Sequence, residues 1–235
     1  MPPEMPLRLG APADFARVAE FFSEHGFNDE RVCRALKLET LARLGTLKQE
    51  EIDLSRLSQS LALLIRVFVL LQLVPKADLE QSCDAKTLAA FLTLDLLRLS
   101  AEGYYASVFL YPVAGFIVAS DRHSNYDGSP FSSPVDIVFP AIFPGTLRFL
   151  RLIATSPSGD ALDLCSGSGI GALVSSRFAK RAVAADITLR AAHFAEFNRA
   201  LISERIFRSF RATFIVPSPA RLLIALRPIR PMCPR

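Results

Sequence analysis

Residues 161–171 read ALDLCSGSGIG. The first four fit a short strand, and two glycines spaced by one residue, Gly167 and Gly169, follow at once. The apolar segment 170–178 then reads as a helix, 181–185 as a second strand, and 189–201 as a second helix. Strand, turn, helix, strand and helix in this order predict an α/β fold with a parallel, doubly wound sheet.

The chemistry expected of such a turn follows from its place. In a doubly wound sheet, ligands bind in the crevice beyond the C-terminal ends of the strands. The first strand ends at Asp163-Leu164, and Gly167 and Gly169 permit a tight turn and close approach to backbone. The start of the next helix is expected to offer N–H groups to a ligand anion. Asp186 ends the second strand, where a carboxylate can accept hydrogen bonds from two ribose hydroxyls. Gly167, Gly169 and Ala172 also satisfy G-x-G-x-x-[GA], so glycine spacing leaves a dinucleotide of the NAD type open. Asp163, four residues before Gly167, favours a ligand ammonium over a pyrophosphate.

LDLCSGSG resembles the LDL[CG][CT]G[ST]G signature of the release-factor glutamine methyltransferases and related ribosomal RNA methyltransferases, with Ser166 in place of Cys or Thr. The segment ADITLRAAHFAEFNRAL, 185–201, is similar to the D-I-x-x-x-A-L-x-x-A-x-x-N-A stretch of that group. The resemblance covers 145–201. It implies a Rossmann-like class I methyltransferase fold, here incomplete, and S-adenosyl-L-methionine as cofactor. By the resemblance Asp163 and Gly167 serve the methionine end and Asp186 the ribose. The candidate cofactor residues are Asp163, Cys165, Gly167, Ser168, Gly169, Asp186 and Ile187; no catalytic residue is assigned. The substrate implied is a nitrogen of a protein or an RNA. Asp136, Phe143 and Thr146, before the fold, are expected near the pocket.

Upstream, the chain reads as helices. Residues 12–24 place Phe15, Val18, Ala19 and Phe22 on one face; Asn28-Asp29 caps a helix to about 36; 54–73 reads as one long helix stopped by Pro75; and Asp84 caps another to about 94. Strands are expected at 97–99, 104–111 and 115–119. Helices followed by a small β-ribbon resemble a winged-helix module. The division expected is therefore 1–119 helical and winged-helix-like, 120–144 a Ser- and Pro-rich connector, 145–201 a partial methyltransferase domain, with a helix over 145–155, and 202–235 an atypical tail.

About half of the 235 residues are hydrophobic, which excludes a wholly disordered chain. The apolar run 61–74 is broken by Arg66 and Gln72, so a membrane span is not expected, and neither is a signal peptide. Cys33, Cys83, Cys165 and Cys233 show no metal-ligand spacing, so no metal is expected, and free thiols fit a cytoplasmic location. Cys165 has no base beside it in the sequence and is not read as a nucleophile. His25, His123 and His193 are scattered and read as packing or surface residues. A non-catalytic winged-helix and nucleotide-fold binding protein is the alternative to an enzyme.

The total charge of +4 is uneven: residues 201–235 carry seven Arg, no Lys and one Glu, or +6, which leaves residues 1–200 at −2. The resemblance calls for a third strand ending in Gly-Asp and a fourth ending in [ND]PP[YF], and neither motif follows Leu201. Reading each codon's third base with the next codon's first two permits GDLYSPVAGETFDRIAA from Arg211 and [NH]PPYVP across Pro228–Pro234. A change of reading frame between about 201 and 211, or a truncation, is therefore expected, with weak stability and little methyl transfer as consequences. Sequencing the gene tests the frame: the alternative frame should continue open beyond NPPYVP, and an early stop there defeats the idea.

Overall fold

The computed structural model describes residues 5–202 and the backbone of 210–214. The first helix, α1 (Pro12–Glu24), opens with Pro12, whose missing N–H costs nothing in a first turn. It buries Phe15, Val18, Phe21 and Phe22. Helix α2 (Asp29–Ala35) starts where Asn28 accepts the N–H of Arg31 at 3.0 Å. Helix α3 (Gln59–Leu64) runs straight into a π-helical turn, Ile65–Val69. The single helix expected over 54–73 is thus shorter at both ends. Asp53 accepts the N–H of Ser55 and holds a turn there, and Leu71 at φ +52° ends the helix before Pro75 is reached. Helix α4 (Lys76–Ser82) follows, then α5 (Ala85–Thr93), capped by Asp84 through Lys86 and Thr87 N–H groups, both at 2.8 Å.

Strands β1 (Leu97–Leu99) and β2 (Tyr104–Ala106) form one antiparallel pair, and β3 (Phe109–Val113) and β4 (Phe116–Ser120) another. The continuous strand expected over 104–111 is divided, because Ser107 turns the chain: its N–H binds Leu96 O at 3.2 Å and its hydroxyl binds Asp95 O. Gly103 is needed for close approach, since a Cβ there would lie 2.1 Å from Val74 O.

The second half is α/β. Helix α6 (Pro144–Leu152) precedes a three-stranded parallel sheet of β5 (Ser158–Leu164), β6 (Ala179–Asp186) and β7 (Phe210–Phe214), in that order. Helix α7 (Ile170–Ser175) connects β5 to β6, and α8 (Leu189–Leu201) follows β6. Helices α6 and α7 end earlier than 155 and 178: Ile153 is extended, and the chain turns through Arg177 and Phe178 into β6. Of the tail, 203–209 and 215–235 lie outside the described residues. Strand β5 is an edge among the described residues, with Leu162 and Leu164 46% and 58% exposed.

One hydrophobic core includes residues from both sides of the expected divisions at 119 and 144. Phe197 of α8 meets Phe15 of α1 edge-on at 5.1 Å. Asn198, fully buried, accepts the N–H of Ala119 at 2.7 Å and donates to Ala119 O at 3.0 Å and Ser168 O at 2.9 Å. The connector is pinned as well. Asp121 exchanges backbone N–H and carboxylate contacts with Val138 and pairs with Arg190 of α8, both side chains under 8% exposed. Tyr111 accepts the N–H of Ala141 at 2.6 Å.

Asp121→Ala leaves Arg190 charged and buried. A loss of about 3–5 kcal/mol is expected from urea unfolding, most of it recovered when Arg190→Met is added; a loss that persists in the double variant contradicts the pairing.

Candidate functional site

A cavity of about 690 Å³ lies at the C-terminal ends of β5 and β6. One wall is the turn 163–168, a second is the start of α7, and a third is the connector with the first part of α6. The pleat of β5 alternates its side chains, and pairing with β6 in the register Leu164↔Ala185 brings both strand ends to one level. Asp163 and Asp186 therefore reach the same cavity.

The turn is built by backbone geometry. Cys165, Gly167 and Gly169 have φ of +55°, +52° and +79°. Glycine tolerates that region freely, whereas Cys165 is held there by its neighbours. A Cβ on Gly167 would meet nothing within 4 Å, so conformation, not crowding, calls for glycine at that position. Crowding applies at Gly171, where a Cβ would lie 2.7 Å from Asp163 Oδ2. Its absence lets α7 approach the acid closely enough for Ala172 N–H to donate to Oδ2 at 3.0 Å. The first turn of α7 thus gives that N–H to Asp163 instead of to a ligand anion. Asp186 is tied into the turn too: it accepts Gly167 N–H at 3.0 Å, Thr188 N–H at 3.0 Å and the Thr188 hydroxyl at 3.2 Å.

Burial pushes the pKa of Asp163 up, the hydrogen bond from Ala172 pulls it down, and the negative charge of Asp186 raises it. Oδ1 of Asp163 makes no hydrogen bond among the described residues. A half-buried carboxylate with one open oxygen, beside a second carboxylate, suits a cation or an ammonium group.

Of the expected site residues, Asp163, Cys165, Gly167, Ser168 and Asp186 line the cavity. Gly169 is buried at the start of α7. Ile187 is 61% exposed and is not among the lining residues. Asp136, Phe143 and Thr146 line the opposite wall. The sequence reading did not single out Ser166, Gly171 or Asn198 for a role. Ser166 lines the cavity, and its buried hydroxyl has no hydrogen-bond partner among the described residues. Gly171 stood in the quoted stretch as a third glycine, at the start of the helix that follows the turn. Nothing in the sequence signals that Asn198 reaches Ala119.

The histidines are used for packing. His25 stacks edge-on with Phe21, His123 with Phe109, and His193 bonds Leu7 O at 2.9 Å. Among the described residues no group of His, Cys, Asp or Glu could hold a metal, and no helix is long and apolar enough to cross a membrane. No known family model and no curated protein matches the chain.

Because burial raises the folded-state pKa of Asp163 above that of the unfolded chain, its ionised form opposes folding, and stability is lost as pH rises through the raised value. Asp163→Asn keeps an acceptor for Ala172 without the charge. It should raise the melting temperature near neutral pH by about 2–4 °C, and the gain should vanish in acid. A gain independent of pH, or a loss, contradicts this account.

Proposed function

We propose that the chain binds S-adenosyl-L-methionine in this cavity, as a Rossmann-like, class I methyltransferase-type domain carried behind a winged-helix-like helical region. The observation that carries the reading is the meeting of Asp163 and Asp186, from the ends of adjacent parallel strands, on either side of a glycine turn in one cavity. Asp163 Oδ1 is available to an ammonium, as the methionine end of that cofactor carries. Asp186 lies one strand over, where a ribose can be reached, although its oxygens already serve Gly167 and Thr188. The volume suits a ligand of that size. A pyrophosphate would face two carboxylates, which disfavours a NAD-type dinucleotide.

When bound, the cofactor supplies an electrophilic methyl group. The residues of this chain hold and orient it, and alignment is the larger part of catalysis in such a displacement. The accepting atom is a nitrogen of a protein or RNA substrate, and the protein acts in the cytoplasm. The fourth-strand motif that grips such a nitrogen in the resembling group is not in this sequence, so the reading rests on cofactor binding.

Added S-adenosyl-L-methionine, at a hundred times its Kd, should stabilise the protein by about 2.7 kcal/mol, a rise in melting temperature of roughly 5–10 °C. NAD should give no shift. The reverse pattern, or no shift with either, sinks the proposal, and labelled-methyl transfer to cell extract separates a binder from an enzyme.

A further inference from the structure

We propose that the outer face of the β1–β2 ribbon and the loop after β4 form a seat for single-stranded RNA, with Arg98 and Arg122 for its phosphates and the Tyr105–Tyr126 pair for a base. RNA so held is the substrate class for methyl transfer, a step that rests on the cofactor reading, whereas the binding surface itself does not. In β2, Tyr104 and Ala106 are buried, so the pleat turns Tyr105 outward, and the register Arg98↔Tyr105 puts Arg98 on the same face. Tyr126 stacks on Tyr105 with ring centres 4.4 Å apart and 29° between planes. The loop that carries it is held by the Asn125 amide, which donates to the Ser129 hydroxyl at 3.0 Å and to Pro130 O at 3.1 Å. Arg122 lies 5.8 Å from the centre of the Tyr105 ring and donates to Ala106 O at 3.1 Å and to Asn125 Oδ1 at 2.9 Å.

Charge on this face is unbalanced. Arg122 is half-buried, its two acceptors are neutral oxygens, and no carboxylate pairs with it among the described residues. Burial depresses its pKa, and the positive charge of Arg98 depresses it further, so two cations stand close together. The nearby acids are engaged: Asp121 pairs with Arg190, and Asp127 accepts the N–H of Ser129 at 3.0 Å. A partly desolvated cation without a counter-ion is costly, and an anion brought from outside relieves that cost. Guanidinium groups match phosphate oxygens in pairs, and tyrosine rings give bases a surface to stack on. The Tyr105 and Tyr126 hydroxyls make no hydrogen bond among the described residues, and a ribose 2′-hydroxyl, which DNA lacks, can meet them. An acidic peptide would satisfy the arginines but leave the aromatic pair without use. Arg122 also lines a second cavity, of about 480 Å³, which shares Val135 and Asp136 with the cavity at the strand ends. A strand seated here therefore lies next to the place where the methyl group would be offered.

Fluorescence anisotropy of the full chain with a labelled, mixed-sequence RNA of about ten nucleotides tests this. Arg122→Gln and Tyr126→Leu should each weaken binding about ten-fold, and Tyr126→Phe, which keeps the ring, should stay within about three-fold. Lys180→Gln removes an exposed charge at the end of β6 away from the cavity and should stay within about two-fold. The seven arginines of 201–235 would hold any polyanion by charge alone, and such binding is indifferent to Tyr126. RNA binding unchanged by Tyr126→Leu therefore overturns the inference. So do equal losses in Arg122→Gln and Lys180→Gln, equal affinity for DNA of the same sequence, tighter binding of polyglutamate, or no binding of RNA by the parent. Where Arg122→Gln lowers the melting temperature, the Tyr126 variants, in a surface loop, decide the matter. The melting shift with S-adenosyl-L-methionine on the same samples reports the cofactor reading separately.

Discussion

Asn198 holds the two halves of the molecule to each other. Its carboxamide reads as a piece of backbone: it accepts from and donates to Ala119 in β4, and its second N–H reaches Ser168 O in the cavity turn. In a dry interior an amide left unpaired is costly, so α8, the β3–β4 hairpin and the turn must all arrive for any of them to be satisfied. The Asp121–Arg190 pair repeats the logic about two turns of helix earlier, with the connector as its third party through Val138. The far wall of the cavity is therefore tied both to β3, through Tyr111, and to α8, through Asp121 and Arg190.

The cavity turn illustrates how one set of atoms serves folding and ligand capture at once. Asp163 and Asp186 each spend oxygens on turn N–H groups, which fixes the left-handed residues Cys165, Gly167 and Gly169 without any ligand. Asp163 Oδ1 and the hydroxyl of Ser166 are among the groups left without a hydrogen bond among the described residues. A site prepared in this way needs little rearrangement on binding, which lowers the cost of capturing a flexible ligand.

Much of this was legible in the sequence where the signal is local. Helix α1 matched its apolar periodicity, α2 and α5 their caps at Asn28 and Asp84, and α8 its full span Leu189–Leu201. The parallel pairing of β5 and β6 followed from the strand–turn–helix order. The misses share a cause, which is competition that periodicity does not register. The apolar run 61–69 is buried at Leu61, Leu63, Leu64, Ile65, Val67, Phe68 and Val69, so it carries no face to show where the helix ends. Ser107 broke a strand by bonding two carbonyl groups of a distant segment. Cys165, Gly167, Ser168 and Gly169 were visible because they follow Asp163 in one short turn, and Asp186 because it ends the next strand. Asn198 and Ala119 are 79 residues apart, and no pattern in a single sequence links them.

The shared core has a consequence for how the chain acquires its shape during synthesis. The hairpin that ends with Ser120 is made some eighty residues before the amide it needs, so Ala119 and Asp121 must wait, hydrated, until α8 emerges. The helical half therefore reaches its final packing only once α8 is made. A fragment cut at the connector would separate Phe15 from Phe197 and Asp121 from Arg190, and neither piece would keep the packing described for the whole.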